Sequence, residues 1–461
     1  MDLRQSLRAL AHRNFRLFFL GQSVSLIGTW VQQLAMSWLV YELTHQSPFW
    51  LGFVGFLGQV PTLFLAPFVG VWVDRWNRHR LIIVTQTLAM LQAFALAALT
   101  WFGAGPGRPY GVVEVWHVVA LSLFIGVVNA FDMTARQAFL TEMVRDRQDV
   151  ANAVALNSSM VNGARLAGPA VAAALLASTG AAVCFLVNGL SYLAVLAALL
   201  AMRVEPRTAP QQNPHFWRGL REGLAYAGGF APVRAILLLA ALVSLTGLAH
   251  TVLLPVFATD VFRGGAGTLG MLTASSGVGA LAAAVALAVR RSVLGLGRWV
   301  AACPAVLGLA LIGFSFAGRL SAALPLLAAA GFALMAGLAS MNTILQTLVP
   351  EDKRGRVMSL YMMCFMGVAP VGSLLSGWLA EHVGAPVTLR IQAAACLAGS
   401  AAFAVALPRL RAIVRPVYVS LGILPEVGSG VFVPVAPAAA PHAAEGQPVG
   451  GVAVTERGMT A

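Results

Sequence analysis

The amino-acid sequence predicts an all-α membrane protein of twelve transmembrane helices, arranged as two six-helix halves. The 461-residue chain is 59% hydrophobic and only 10% charged, and its mean hydropathy of +0.80 lies far above that of soluble domains. Apolar stretches of roughly 20 to 25 residues, the length that a bilayer requires, follow one another along the chain. Basic residues cluster in alternate connections between these stretches.

The predicted spans fall into two sets of six, separated by a long polar connection. The first set covers residues 17–41, 49–73, 81–102, 115–139, 151–177 and 182–202. The second set covers residues 232–260, 269–289, 299–316, 322–348, 358–379 and 387–407. Short internal matches, such as V-S-L-x-G at residues 24–28 and again at 243–247, support two parallel halves related by an axis along the membrane normal.

The basic residues orient the helices. Arg75, Arg78 and Arg80 lie between the second and third spans, and arginines so placed favour the cytoplasmic side of a bacterial membrane. Both termini and every even-numbered connection are basic in the same way. The outer connections contain few basic residues, namely Arg108, Arg263 and Arg319, with Arg390 just inside the last span. We therefore expect a multi-pass membrane protein with both termini in the cytoplasm.

The segments outside the spans have distinct compositions. Residues 1–16 form a basic cytoplasmic N-terminus that leads into the N-terminal half, residues 17–202. Residues 203–231 form a cytoplasmic linker with apolar residues at helical spacing, which predicts an amphipathic helix on the membrane surface. Residues 232–407 form the C-terminal half. Residues 408–461, rich in Pro, Ala, Gly and Val, are expected to be a disordered cytoplasmic tail.

Several function classes are disfavoured by composition. The formal net charge is +13, but the arginines occur in short clusters between apolar spans, which is not the contiguous surface that nucleic acid requires. The four cysteines lie inside predicted spans without metal spacing, so we expect neither a disulfide nor a metal site. The sequence shows no catalytic constellation and no Walker-type phosphate loop. We therefore expect no enzyme activity, no catalytic residue and no cofactor.

Polar residues within the spans are the candidate functional residues, because each is costly to insert. The fourth span carries Asn129, Asp132 and Arg136 at spacings of three and four, which place them on one helix face. The candidates for proton coupling or substrate lining are Asp132, Arg136, Arg165, Asn129, Asn157, Asn162, Gln32, Gln33 and His250.

Asp132 is the strongest candidate for proton coupling. It can pair with Arg136 on its own helix or with Arg165 on the next, and a change of partner or of water exposure would move its pKa between two states. The alternative is a permanent structural ion pair. Arg165 alone is also a candidate for binding an anionic substrate group. His250 is either a neutral core histidine or a further proton-coupling group.

The stretch from Gly70 to Arg80 has the pattern G-x-x-x-D-R-x-x-R between two membrane helices. It resembles the signature loop of the major facilitator superfamily of secondary transporters. The resemblance implies a cytoplasmic latch that stabilises the outward-facing state, and its members here are Gly70, Asp74, Arg75, Arg78, Arg80 and Glu142. The alternative is a screened surface cluster worth under about 1 kcal/mol.

The fifth span contains Gly163, Gly168 and Pro169, where glycines permit close packing and proline removes a backbone hydrogen bond. This segment resembles the G-x-x-x-x-G-P motif of superfamily antiporters and implies a helix hinge. The chain departs from the motif at Ala172 and Ala173, where relatives carry glycine.

Residues 14–407 as a whole resemble the bacterial transmembrane secretion effector branch of the superfamily, related to enterobactin exporters and macrolide efflux proteins. The segments that carry this resemblance are 26–30, 70–80, 129–132, 136–139, 152, 156–159, 168–169 and 188–192. It implies the major facilitator fold, a place in the inner membrane of a bacterium, and proton-driven antiport of small amphipathic molecules, of the drug or siderophore class, by alternating access. The expected partners are the substrate, protons and the lipid bilayer, and we expect a monomer.

Two other functions stay open from the residues alone. One is an uncoupled facilitator or importer of a small metabolite. The other is a non-transporting membrane scaffold or sensor, which the polar lining of the N-terminal half disfavours because a passive anchor would not need it.

Overall fold

The computed structural model describes residues 7–105, 110–144, 146–204, 216–248, 250–290, 292–421 and 423. Within the described helices, the side chains of residues 66, 67, 70, 71, 74, 75, 147, 162, 166 and 216–220 are not described. The first six long helices are α1 (Arg13–Leu43), α2 (Pro48–Arg75), α3 (Arg78–Trp101), α4 (Val115–Leu140), α5 (Arg147–Thr179) and α6 (Ala181–Leu200).

A shorter helix, α7 (Phe216–Gly229), follows in the segment where the sequence predicts an amphipathic linker helix. The remaining helices are α8 (Ala231–Val261), α9 (Ala266–Val289), α10 (Leu296–Ser315), α11 (Leu320–Leu348), α12 (Glu351–Val383) and α13 (Ala385–Ser420). Single π-helical turns interrupt α8 at Val243–Gly247 and Phe257–Val261, and α12 at Met363–Gly367. Such turns often occur where a helix must adapt to a functional site.

Eleven of these helices in the described part of the chain are long and apolar enough to cross a membrane. The remaining predicted span, the first, corresponds to α1, which has 31 residues but is rich in Gln, Ser and Thr and less apolar than the others. The nearly all-helical fold class is confirmed. The count of twelve depends on α1, whose length and burial among its neighbours compensate for its polar composition.

Local sequence signals set the helix boundaries. The Asn77 side chain accepts a 3.0 Å hydrogen bond from the Arg80 amide and caps α3, and Asp146 caps α5 through the Gln148 amide at 2.9 Å. Such caps satisfy amides that the helix itself leaves unpaired. Gly180 has a φ of 85°, a left-handed conformation that glycine adopts without a steric penalty. It therefore permits the abrupt connection between α5 and α6.

The same packing pattern occurs in both halves. In the N-terminal half, α2 packs against α4 and α3 packs against α6; in the C-terminal half, α9 packs against α11 and α10 packs against α13. Small residues allow the contact between α2 and α4 in one half and that between α9 and α11 in the other. A Cβ atom on Gly126 of α4 would lie 2.8 Å from the Gly58 carbonyl oxygen of α2, and one on Gly331 of α11 would meet Ser276 of α9.

We call proximal the face of the bundle where α1, α3 and α5 begin, and distal the face where they end. The two halves meet mainly through α2 against α12 and through α5 against α9. All hydrogen bonds between the halves that the structure describes lie at the distal face. They join Tyr41 to Asp260, and Ser47 and Phe49 to Glu381.

The linker helix α7 packs against the start of α12. Glu222 Oε2 lies 2.8 Å from Arg356 Nη1, and the ammonium group of Lys353 lies 4.9 Å from the centre of the Tyr226 ring. Burial raises the pKa of Tyr226 above its ordinary value. These contacts fix the linker to the C-terminal half at the proximal face.

The end of the chain differs in part from the predicted tail. The sequence predicts disorder from residue 408, whereas α13 continues through Ser420 and includes Pro408 and Pro416. The rest of the predicted tail, residues 424–461, lies outside the described residues. The predicted span ended at residue 407, but the φ near −65° that proline requires is compatible with a helix when the lost hydrogen bonds are tolerated.

Candidate functional site

The Asp132 carboxylate is the centre of the candidate site. Helix α4 places it about 12 Å along the axis from the end of the helix at Leu140, and only 3% of the residue is exposed. Its Oδ1 accepts hydrogen bonds from Thr85 Oγ1 at 2.9 Å and from Gln86 Nε2 at 2.8 Å, both on α3. Its Oδ2 forms an ion pair with Arg136, one turn further along α4. Both carboxylate oxygens therefore have partners.

The cation of this pair lies closer to solvent than the carboxylate. The side chain of Arg136 is 24% exposed and that of Asp132 only 5%, and Arg136 Nε has no hydrogen-bond partner among the described residues. A buried carboxylate that loses its cation is destabilised by several kcal/mol, on the order of 3 to 5. The stability of the charged carboxylate therefore depends on a partner at the edge of the buried site.

Arg165, the other partner that the sequence left open, lies elsewhere. Its guanidinium is placed over the Trp30 ring, 5.9 Å from the ring centre, and no carboxylate of the described residues is within ion-pair distance of it. The reason is the order of packing: α4 packs mainly against α2 and α3, whereas α5 packs against α1, α6 and α9. Helices four and five are consecutive in sequence but are not packing neighbours.

Gln32 and Gln33, adjacent in sequence, have different environments. Gln32 is 9% exposed; its Nε2 donates to Gln92 Oε1 at 2.9 Å, and its Oε1 accepts from Asn188 Nδ2 at 2.8 Å. It therefore joins α1 to α3 and α6 as a buried structural link. Gln33 is exposed, because successive helical residues point about 100° apart.

The other predicted lining residues are distributed over α4 and α5. Asn129 is exposed and Asn157 is half-buried, so their side chains are available on the surface of the N-terminal half. The side chain of Asn162 lies outside the part of the chain that the structure describes. The polar residues that are at least partly exposed are Gln33, Asn129, Asn157 and Arg165.

His250 in α8 is almost fully buried, at 1% exposure. Its Nδ1 is hydrogen-bonded to the Gly247 carbonyl oxygen, three residues earlier and within the π-helical turn. Its Nε2 has no hydrogen-bond partner among the described residues. A buried ring with one nitrogen on a carbonyl oxygen fits a neutral histidine whose Nδ1 carries the proton.

The predicted latch residues lie at the proximal face. Arg78 Nη1 is 2.6 Å from Glu142 Oε1, joining the start of α3 to the residue just beyond α4. Both side chains are mostly buried, at 18% and 15% exposure. The surroundings of Gly70 and the side chains of Asp74 and Arg75 lie outside the part of the chain that the structure describes. The Arg80 side chain is exposed. The geometry thus brings together two of the predicted members.

The predicted hinge segment of α5 contacts two other helices. A Cβ atom on Gly168 would collide with Trp30 of α1, whereas one on Gly163 would meet nothing. Pro169 and Ala173 face Gly270 of α9 across the contact between the halves. Ala173 stands where the motif has glycine. The small residue that permits this contact is therefore Gly270 on α9.

Sequence reasoning missed the partners that α3 and α6 supply. Thr85 and Gln86 bind Asp132, and Gln92, Asn188 and Ser191 continue the buried chain of hydrogen bonds from Gln32. The available signal was their polarity inside apolar spans, the same signal that identified Asp132. The packing order of the helices determines which side chains come into contact, and this order was not available from the sequence.

Comparisons with known proteins bear on the family and the fold. Residues 5–417 match a family model described as transmembrane secretion effector. The Staphyloferrin A transporter of Staphylococcus aureus (strain NCTC 8325 / PS 47) is 25% identical over 374 residues, which cover 81% of this chain and 91% of that protein. The multidrug efflux pump Tap of Mycolicibacterium fortuitum is 27% identical over 395 residues, covering 83% and 93%.

The fold is also similar to that of solved transporters. A bacterial homologue of the iron transporter ferroportin, in an inward-facing state, aligns with a TM-score of 0.63 at 17% identity. The alignment covers 86% of this chain and 98% of that one.

Proposed function

This chain belongs to the transmembrane secretion effector family of the major facilitator superfamily, and on that premise we propose that it exports small amphipathic molecules in exchange for protons. The chain is a multi-pass membrane transporter and not an enzyme. The proposal further places it in the inner membrane of a bacterium as a monomer, with both termini in the cytoplasm. The observation that carries the proton-coupled part is the buried carboxylate of Asp132.

Asp132 has the surroundings that a proton-coupling group requires. Two neutral donors from α3 and one cation from α4 hold the charged form. Because Arg136 lies at the edge of the site, entry of water at that edge hydrates the carboxylate, and rotation of the Arg136 side chain away from Asp132 removes its cation. Either change alters the cost of keeping the charge, so the carboxylate binds a proton in one state and releases it in the other.

We assign this change to rocking of the two halves, which would alter the access of water to this edge of the site. We assign the halves to residues 17–202 and 232–407, with 203–231 as the linker between them. The described hydrogen bonds between the halves are all distal, and the basic connections favour a cytoplasmic assignment of the proximal face. In this proposal the structure corresponds to the state that receives substrate from the cytoplasm, and alternating access follows from opening the distal contacts.

The substrate class follows from the exposed residues of the N-terminal half. Arg165 over the Trp30 ring combines a cation with an aromatic surface, and Gln33, Asn129 and Asn157 add neutral hydrogen-bonding groups. Such a set suits an amphipathic molecule with an anionic or catecholate group. Two relatives, a Staphyloferrin A transporter and a multidrug efflux pump, support the same range of chemistry.

Transport into inverted membrane vesicles tests the proposal. With an acidic lumen, a proton-coupled exporter accumulates substrate in the lumen, and collapse of the pH gradient by a protonophore releases it. A siderophore, a macrolide and a cationic dye should be compared in vesicles with and without the protein. Equilibration without accumulation would identify an uncoupled facilitator, and accumulation only in right-side-out vesicles would identify an importer.

A further inference from the structure

The start of α2 has an unusual N-terminal cap. Ser47 occupies the N-cap position with an extended backbone, yet its side chain accepts no hydrogen bond from its own helix. Serine at this position ordinarily accepts a bond from the second or third amide of its helix. Here Ser47 Oγ instead donates to Glu381 Oε2 at 2.9 Å, and the Phe49 amide donates to the same oxygen at 3.2 Å. Pro48 has no amide hydrogen.

Glu381 therefore caps a helix of the other half. It lies in the last turn of α12, in the C-terminal half, and a carboxylate at a helix N-terminus also interacts favourably with the helix dipole. The backbones are close at this point, since a Cβ atom on Gly377 would lie 2.7 Å from the Pro48 carbonyl oxygen and 2.9 Å from the Gly52 Cα. The cap and the glycine contact together join α2 to α12 at the distal face.

The second contact at the distal face, between Tyr41 and Asp260, is connected to the Glu381 cap by a short turn of the chain. Tyr41 donates its hydroxyl to Asp260 of α8 at 2.9 Å, and its carbonyl oxygen accepts from the Gln46 amide at 2.8 Å. His45 and Gln46 have φ values of 52° and 69°, a left-handed conformation that non-glycine residues rarely adopt. This tight turn holds Ser47 beside Glu381.

We propose that Glu381 is a gating residue of the transport cycle, which holds the distal face closed by capping α2 and is replaced as the cap by Ser47 when the face opens. The inference rests on the alternating-access mechanism proposed above. When α12 withdraws, the Phe49 amide loses its acceptor. Ser47 is already at the N-cap position, so rotation of its hydroxyl supplies a new acceptor. The exchange leaves α2 capped in both states and lowers the cost of opening.

Distances between spin labels test the gate without measuring transport. Labels at Thr179→Cys and Gly265→Cys, on the full chain with its four native cysteines replaced by alanine, report the separation of α5 from α9 at the distal face. The protein is held in lipid nanodiscs without substrate or pH gradient. Glu381→Ala should raise the ratio of open to closed populations about three- to tenfold, because two bonds to a charged acceptor are lost. Glu381→Gln should give a smaller shift.

Glu114 provides the matched control. It is a distal carboxylate that caps α4, a helix of its own half, so Glu114→Ala should leave the distance distribution unchanged. Ser47→Asp gives α2 a charged cap of its own and repels Glu381, so it should favour the open population. The same substitution in the Glu381→Ala background should have no further effect.

An unchanged distribution in both Glu381 variants would overturn the gate, and so would an equal shift in Glu114→Ala. An equal effect of Ser47→Asp with and without Glu381 would overturn the exchange of caps. If Glu381→Ala does not fold, Glu381→Gln and Ser47→Asp decide the question. The distances are measured without substrate or a pH gradient and do not depend on whether the protein accumulates substrate in vesicles. The gating proposal and the proton-coupled export proposal can therefore fail independently.

Discussion

Thr85 Oγ1 on α3 lies 2.9 Å from Asp132 Oδ1 on α4, so the buried carboxylate is held by two helices rather than by its own. The hydroxyl also donates to the Ile82 carbonyl oxygen in the same helix, at 2.9 Å, and one hydrogen cannot serve both acceptors at full strength. The hydroxyl can therefore turn from the carboxylate to the carbonyl oxygen when Asp132 is protonated, without becoming unpaired.

Asp132→Asn should abolish coupling while keeping substrate exchange. The substitution removes the titratable group but retains size and hydrogen bonding, so accumulation driven by a pH gradient should fall about tenfold or more while energy-independent exchange of labelled substrate persists. The control is Glu114→Gln, which changes an exposed carboxylate at the distal face. If Asp132→Asn still concentrates substrate in response to the gradient, coupling lies elsewhere, with Glu142 and His250 the next candidates. Loss of membrane insertion would instead support a structural ion pair.

Gln86→Leu should lower stability. Leucine leaves the carboxylate with one fewer donor in a buried position, which costs about 1 to 3 kcal/mol, and the unfolding temperature of the purified protein should fall accordingly. Gln137→Leu, at an exposed position on α4, is the control and should change the unfolding temperature little. Equal unfolding temperatures for the two variants would mean that water replaces the lost donor.

Glu142→Gln should reduce turnover more than stability. The Arg78–Glu142 pair joins helix ends at the proximal face, and glutamine keeps an oxygen that can accept a hydrogen bond from Arg78, which limits the loss of stability. If it acts as a latch between transport states, turnover should fall about three- to tenfold, and exchanging the charges with Arg78→Glu and Glu142→Arg should restore part of it. Glu351→Gln, an exposed carboxylate at the same face, should have no effect. Parallel losses of transport and thermal stability would identify a purely structural pair.

Gly163→Ala and Gly168→Ala should separate packing from hinge motion. Alanine at Gly168 collides with Trp30, whereas alanine at Gly163 enters open space and favours the helix by about 1 kcal/mol. Thermal unfolding should therefore show Gly168→Ala destabilised and Gly163→Ala unchanged or stabilised. Slower transport by a stabilised Gly163→Ala would identify that residue as a hinge, and unchanged transport would exclude it.

Two exposed glycines test the orientation of the protein. Cysteine at Gly105, beyond the end of α3, and at Gly355, near the start of α12, would in each case occupy open space. With the termini in the cytoplasm, an impermeant maleimide should label Gly105→Cys in intact cells and Gly355→Cys only after permeabilisation. The reverse pattern would invert the proposed orientation of the whole bundle.

The parts of the fold that follow from local rules could be predicted from the sequence. Bilayer thickness fixes the length of apolar spans, so twelve spans could be placed from the sequence, and eleven of them coincide with helices of the described residues that are long and apolar enough to cross a membrane. Helix α1 is long enough, but its polar residues reduce its apolarity, because they pair with α3 and α6 rather than face lipid. The continuation of α13 past Pro408 was missed because proline usually ends a helix.

The candidate site shows the same division between local and tertiary information. The spacing of four between Asp132 and Arg136 suffices to make their pairing available, since residues four apart are neighbours on a helix. The alternative with Arg165 required α4 to pack against α5, and the packing order of helices is not encoded in adjacency along the chain. Thr85 and Gln86 were missed for that reason.

The polar composition of α1 has a consequence for how the protein is made. A helix that is not apolar enough to enter the bilayer alone is inserted poorly by the translocation machinery unless a later helix masks its polar groups. Gln32 finds its partners in Gln92 of α3 and Asn188 of α6, and Gly28 allows Ser191 to approach closely. The buried polar groups of the first helix to leave the ribosome are therefore fully paired only after the third and the sixth helices have been synthesised.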